Sequence, residues 1–177
     1  MKRGIRAAFP IFSMVVSGAA LLLAGSVMAQ PGPQDKPAPA QKLTGKSIQV
    51  ERAQASEDLV IPEDFRVATY ENLIRQIEKT GKFEHVYRSG DKRAAGQSDL
   101  VILKLVPSAY TAGSQKQREV TTIKGATSIK FTVQFTDRSG KVLLEKEVEG
   151  KVRFFGENLN ATSDFAKKVG KVVNESF

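Results

Sequence analysis

From Ile129 to Phe135 every second residue is apolar, and Lys130, Thr132 and Gln134 between them are polar. A period of two marks a strand with one buried face and one wet face. Asp137-Arg138-Ser139-Gly140 supplies turn chemistry, and Val142 to Phe155 returns as a long strand. Closing the hairpin on the four turn residues places Phe135 opposite Val142, Val133 opposite Leu144 and Ile129 opposite Val148. Apolar then meets apolar, and Lys130 faces Glu147 on the other side.

The remaining elements fall around this hairpin. Ile48 and Val50 alternate with Gln49 and Glu51 as a short first strand. Pro62 opens the clearest helix, where its missing N–H costs nothing and Glu63 and Asp64 complement the helix dipole. Val67, Tyr70, Ile74 and Ile77 form its apolar stripe, with Leu73 alongside, and Gly81 is a good stop. Phe83 to Arg88 reads as a short strand, and Leu100 to Val106 as a central one, apolar except for Lys104. A last helix starts near Asn160 to Ser163, which can cap it, and carries Phe165, Val169, Val172 and Val173 on one side. The expectation is an α+β fold: a mostly antiparallel sheet of about five strands with two helices on one face, in the order β-α-β-β-β-β-α.

Residues 1–29 read as an export signal. Lys2, Arg3 and Arg6 precede an apolar run, and Val27-Met28-Ala29 offers a cleavage site before Gln30. An uncleaved inner-membrane anchor is the alternative, because Ala7 to Ala29 carries no charge and is about long enough to span a bilayer. Residues 30–46 form a Pro-rich linker with Pro31, Pro33, Pro37 and Pro39, and residues 47–177 form one domain. Ser26 stands where a lipoprotein signal has its lipidated Cys, and its hydroxyl cannot take that lipid. Without Lys2, Arg3 and Arg6 the 27 basic residues fall to 24 against 19 acidic ones, so the net charge is +5 rather than +8. The protein is expected in the periplasm or outside the cell.

Composition narrows the chemistry. No Cys excludes disulfides, thiolate metal sites and Cys nucleophiles, and one His leaves little acid–base scope. Neither G-x-x-x-x-G-K-[ST] nor G-x-G-x-x-G occurs, so a nucleotide site has no support. No cofactor, no metal and no nucleic-acid partner is expected.

The stretches "IRQIEKTGKFEHVY", "SDLVILKLVPSAYTAG" and "TSIKFTVQFTDRSGKVLLEKEVEG", followed by a closing helix, carry a likeness. Over residues 48–177 the chain resembles a family of uncharacterised bacterial envelope proteins, many of them lipoproteins. The layout is also similar to the amino-terminal domain of the Tol-Pal system's periplasmic protein and to the core of the curli-secretion lipoprotein. The resemblance implies a small envelope module that binds or assembles, and it brings no catalytic residues.

Among single features, His85 lacks an orienting carboxylate at fixed spacing, and reads as a packed or hydrogen-bonded strand residue. Glu145, Glu147 and Glu149 project from one strand face, where Lys130 and Thr132 make a neutralised surface a better reading than a Ca²⁺ site. Ser89-Gly90-Asp91-Lys92 has the Ser-x-x-Lys spacing of penicillin-binding enzymes but sits in a Gly-containing loop of a chain too small for them. Pro107 to Ala126 is long for a connection and carries Lys116, Arg118 and Lys124 against the single acid Glu119, with Tyr110 near its base. Tyr110, Lys116, Arg118 and Lys124 are the candidate binding residues, facing an envelope protein or an anionic envelope surface. The alternative for the stretch is an extended hairpin arm with an ordinary polar surface.

The first reading of function is therefore a non-enzymatic envelope protein that binds or assembles. The second is a periplasmic carrier of a small apolar ligand held between sheet and helices, and the third is an enzyme of unidentified type.

Overall fold

The computed structural model describes residues 42–54, 56, 59–121, 125–153 and 156–177. The signal, most of the Pro-rich stretch, Lys124, Phe154 and Phe155 lie outside the described residues. The elements run β1 (Ser47–Val50), α1 (Glu63–Thr80), β2 (His85–Arg88), β3 (Leu100–Thr111), α2 (Gln115–Val120), β4 (Thr127–Thr136), β5 (Val142–Val152) and α3 (Asn160–Ser176). The class is α+β, with one five-stranded sheet and the two long helices together on one face. The short helix α2, inside the stretch read as a loop or arm, is an addition to the expected order.

The sheet order is β2-β1-β3-β4-β5, with β1 parallel to both neighbours and β3, β4 and β5 antiparallel. Most of the pairing is antiparallel, as expected, and the two short parallel pairings of β1 make the sheet mixed. The reason lies in α1, whose 18 residues span about 27 Å and return the chain to the end where β1 began. A crossover of that length delivers a parallel neighbour.

Helix α1 starts after Pro62 and stops at Gly81, which takes the left-handed conformation (φ 62°) that a Cβ disfavours. Its buried face is Phe65, Thr69, Tyr70, Leu73, Ile74 and Ile77. Val67, expected in the stripe, is 51% exposed. It has the angular position of Ile74 but lies two turns nearer the N-terminus, where it lines an open cleft instead of the sheet. Helix α3 begins at Asn160 without a side-chain cap. The Thr162 hydroxyl instead donates to the Leu159 carbonyl (2.7 Å) and accepts from Asn72 Nδ2 on α1 (2.7 Å), joining the helices where α3 begins.

Ile129, Phe131, Val133 and Phe135 are fully buried, and the β4–β5 hairpin forms as expected but two residues out of the expected register. Phe135 faces Leu144, Val133 faces Lys146, Phe131 faces Val148 and Ile129 faces Gly150. The turn is wider than four residues. Asp137 N–H donates to the Lys141 carbonyl (3.0 Å), Lys141 N–H donates to Asp137 Oδ1 (3.0 Å), and the pairing shifts between Phe135 and Thr136. A shift of two preserves the faces, so the core survives it. Lys130 still meets Glu147 (3.1 Å), now diagonally, and directly faces Glu149.

Between sheet and helices the space is filled. Phe131 and Phe165 pack at 5.1 Å between ring centres, and Phe177 closes the far end against Phe83 (5.0 Å) and Phe135 (5.5 Å). Leu43 N–H donates to the Ser176 carbonyl (2.7 Å), tying the segment before β1 to the end of α3. No helix among the described residues is long and apolar enough to cross a membrane.

Candidate functional site

The described residues of the stretch, Pro107 to Thr121 with Gly125 and Ala126, form a built arm. Strand β3 continues through a bulge at Ser108 to Thr111, pairing with β4 as far as Ser128. Ser114 Oγ accepts from Gln117 N–H (3.4 Å) and starts α2. Tyr110 sits at the base, half-buried, its ring edge-on to Phe65 at 5.2 Å. Burial pushes its phenol pKa up, and the nearby Asp64 carboxylate adds to the shift.

Arg118 departs from the expectation of a solvent-facing cation. It is 2% exposed, and its guanidinium donates to the Gly125 carbonyl (2.6 Å), Thr127 Oγ1 (3.3 Å), the Gly156 carbonyl (2.7 Å) and Asn158 Oδ1 (2.8 Å). Asn158 Nδ2 donates in turn to the Gly113 carbonyl (3.2 Å), and Thr127 Oγ1 donates to Asn158 Oδ1 (3.0 Å). Both ends of the arm are thereby pinned to the chain entering α3. The approach is close because Gly113 and Gly125 lack a side chain, and a Cβ on either would collide with backbone of the other limb. A planar fork with several fixed donors suits such a cage of carbonyls, as a lysine's single ammonium does not.

Lys116 stays on the outer face, exposed beside Glu119 and the apolar Val120, which is 84% exposed. Of the four candidate residues, then, Lys116 points outward, Tyr110 supports the base and Arg118 lies inside. Lys124 lies outside the described residues.

Other singled-out groups find ordinary partners. Glu145 accepts from Gln134 Nε2 (2.7 Å), Glu147 pairs with Lys130 and Glu149 with Lys151 (2.6 Å). His85, expected to be packed or hydrogen-bonded, is instead exposed, with its ring 5.9 Å from that of Tyr87. Ser89 donates its hydroxyl to the Glu51 carboxylate, while Lys92 begins a 3-10 turn on the surface.

A feature that the sequence reading missed lies where β1 and β2 end side by side against α1. A cleft of about 320 Å³ there is lined by Arg52, Arg66, Val67, Tyr70, Arg88 and Ser89, among others. Tyr70 is buried with its hydroxyl accepting from Ser89 N–H (2.8 Å), and the guanidiniums of Arg52 and Arg88 each lie 5.8 Å from its ring centre. Arg88 holds both oxygens of Glu71 (2.6 and 2.8 Å), and Arg66 pairs with Glu63. The Arg88 hydrogen bond holds the Glu71 carboxyl below its usual pKa, against the opposing effect of burial. The three arginines stand at positions 52, 66 and 88 and meet only because β1 and β2 are parallel. Once that pairing is known, an Arg just past the end of one strand and an Arg ending the other are the signal.

No family model and no curated protein matches the chain. Solved structures do resemble it. PelC from Paraburkholderia phytofirmans, a dodecamer, aligns with a TM-score of 0.55 at 13% identity, over 78% of this chain and 94% of its own. A second PelC dodecamer from the same organism, carrying one substitution, gives 0.52 at 15% identity, over 79% and 92%. A minor lipoprotein from Acinetobacter baumannii gives 0.46 at 13% identity, over 75% and 92%. The fold of PelC is thus shared across most of this chain.

Proposed function

We propose that the protein is exported to the bacterial envelope and works there as a non-enzymatic module that binds or assembles, with the arm as a contact element. One observation carries this reading: Arg118 and the glycines fix the arm, so the outer face of α2 is presented in a set position. A prearranged contact loses less conformational entropy on binding than a floppy loop does. Lys116 and Val120 are the outward groups, and Arg118 acts through the arm's position. The fold shared with the PelC dodecamers supports assembly, because in those structures a domain of this shape stands among other copies. Here β2 and β5 end the sheet, and no further strand pairs with either among the described residues.

The test is native mass spectrometry of the protein extracted from the envelope of a bacterial host that makes the full chain. A discrete complex, either of several copies or with another envelope protein, is expected. A bare monomer at every concentration would contradict assembly.

A further inference from the structure

We propose that residues 36–41 of this chain, Lys-Pro-Ala-Pro-Ala-Gln, lie along the outer edge of β5 as a further, antiparallel edge strand. The argument starts from that edge. Lys168 Nζ donates to the Glu149 carbonyl (2.8 Å), and Lys151 N–H donates to Asp164 Oδ2 (2.9 Å). Two side chains of α3 thus occupy the later half of the edge. In an antiparallel ladder, outward-facing residues alternate with inward-facing ones, so Glu145 and Glu147 also aim their N–H and C=O groups outward. Among the described residues nothing bonds to these backbone groups. A bare edge of this kind pairs readily with an extended chain that reaches it.

The chain itself arrives there. Leu43 is tied to Ser176, and Lys42 and Leu43 share a hollow of about 360 Å³ with Leu143, Leu144 and Lys146 at the start of β5. Residues upstream of Lys42 that follow the edge therefore run against β5. At about 3.3 Å per residue, residues 36–41 extend as far as the free stretch from Val142 to Glu147. The prolines decide which side pairs. Pro31, Pro33, Pro37 and Pro39 all fall at odd positions, while Lys36, Ala38 and Ala40 keep their N–H groups. Proline fits a sheet on an edge strand with its nitrogen turned to solvent, and this spacing gives the segment one such side. Lys36, Ala38 and Ala40 then pair with β5, and the proline side cannot recruit another strand. That pairing brings Pro37 and Pro39 to the helix side with the half-buried Leu144. It also puts Lys36 on the face of Glu145, whose side-chain partner among the described residues is the neutral Gln134 amide. The inference leaves β2 as the open edge and does not depend on the arm, so either can fail without the other.

Amide hydrogen exchange followed by NMR, on protein purified from the envelope of a host that makes the full chain, tests it. The Glu145 and Glu147 amides should exchange at least tenfold more slowly than in the variant Ala38→Pro, Ala40→Pro, which lacks the pairing N–H groups. The variant Pro37→Ala, Pro39→Ala, altered on the other side of the segment, should keep that protection within twofold. If the Ala38→Pro, Ala40→Pro variant does not fold, the unaltered protein decides: nuclear Overhauser contacts from Ala38 or Ala40 to Glu145 or Glu147 support the strand, and their absence overturns it. Fast exchange at Glu145 and Glu147, or protection kept in the folded Ala38→Pro, Ala40→Pro variant, would also overturn it. So would protection that falls on dilution, which would put a second copy on the edge.

Discussion

Arg118 on the arm and Asn158 ahead of α3, forty positions apart, share a 2.8 Å hydrogen bond inside the protein. The contact turns a long excursion of the β3–β4 hairpin into part of the domain. Its removal should therefore be felt globally. Arg118→Ala leaves the Gly156 carbonyl without its donor, while the Gly125 carbonyl keeps Ser114 N–H, and at about 1–3 kcal/mol for a buried group left unsatisfied it should cost about 2 kcal/mol. Arg118→Lys should recover less than half of that. Urea unfolding of the three proteins checks it, and a loss under about 0.5 kcal/mol for the Ala variant would contradict the anchor.

The approach of β5 to α3 makes a second prediction. Gly150 faces the start of α3, and a Cβ there would fall inside contact distance of the Ala161 carbonyl and Phe165. Backbone cannot step aside as a flexible side chain can, so Gly150→Ala should destabilise by about 1–3 kcal/mol, the usual cost of overpacking. Gly90→Ala, in open space but at a positive φ of 80°, should cost about 1 kcal/mol. Thermal unfolding of both variants checks the order, and Gly90→Ala being the worse would contradict it.

The hairpin register can be tested covalently, because the chain has no cysteine. Thr132 directly faces Glu147, whereas Lys130 is diagonal to it. The pair Thr132→Cys, Glu147→Cys should oxidise to a disulfide readily. Lys130→Cys, Glu147→Cys should do so poorly, since a diagonal separation of about 7–8 Å exceeds disulfide reach. The reverse outcome on a non-reducing gel would restore the four-residue turn.

Acid should loosen the α3–β5 contact. Burial raises the pKa of Asp164, but hydrogen bonds from Lys168 and from Lys151 N–H outweigh it, so the folded value lies below the ordinary one. A depressed folded pKa means that the carboxylate's stabilisation is present above the unfolded value, near 3.8, and is lost as pH falls through the folded value. Asp164→Asn should lower stability at pH 7 and leave a shallower decline below about pH 4. Denaturant midpoints from pH 7 to pH 2 check it, and parallel curves for the two proteins would contradict it.

The parts of the fold legible in the sequence are those set by local pattern. Alternation from Ile129 to Phe135 identified β4 and its buried face, and Pro62 with Gly81 bracketed α1. Partnership was harder. A four-residue strand such as Ser47–Val50 shows alternation but not which neighbours it pairs with, so the two parallel pairings stayed hidden. The register slipped because the Asp137–Lys141 bonds widen the turn without changing its composition.

The candidate site divides in the same way. Lys116 and Tyr110 could be placed on an arm from the length and charge of the stretch. The burial of Arg118 depends on Asn158 and Gly156, which lie beyond β5, and an Arg among polar residues looks like surface until that contact is known. The arginine cleft was invisible for a related reason, since its members come from three elements joined by a parallel pairing.

The measurement that bears most directly on the central claim is photo-cross-linking in growing cells, with a photo-reactive residue at position 116 of the full chain. The arm is predicted to give one discrete adduct, with a second copy or a single envelope protein, and to lose it when Arg118→Ala frees the arm. A chain that stays monomeric from position 116, or that labels abundant proteins without preference, would contradict a contact role for the arm.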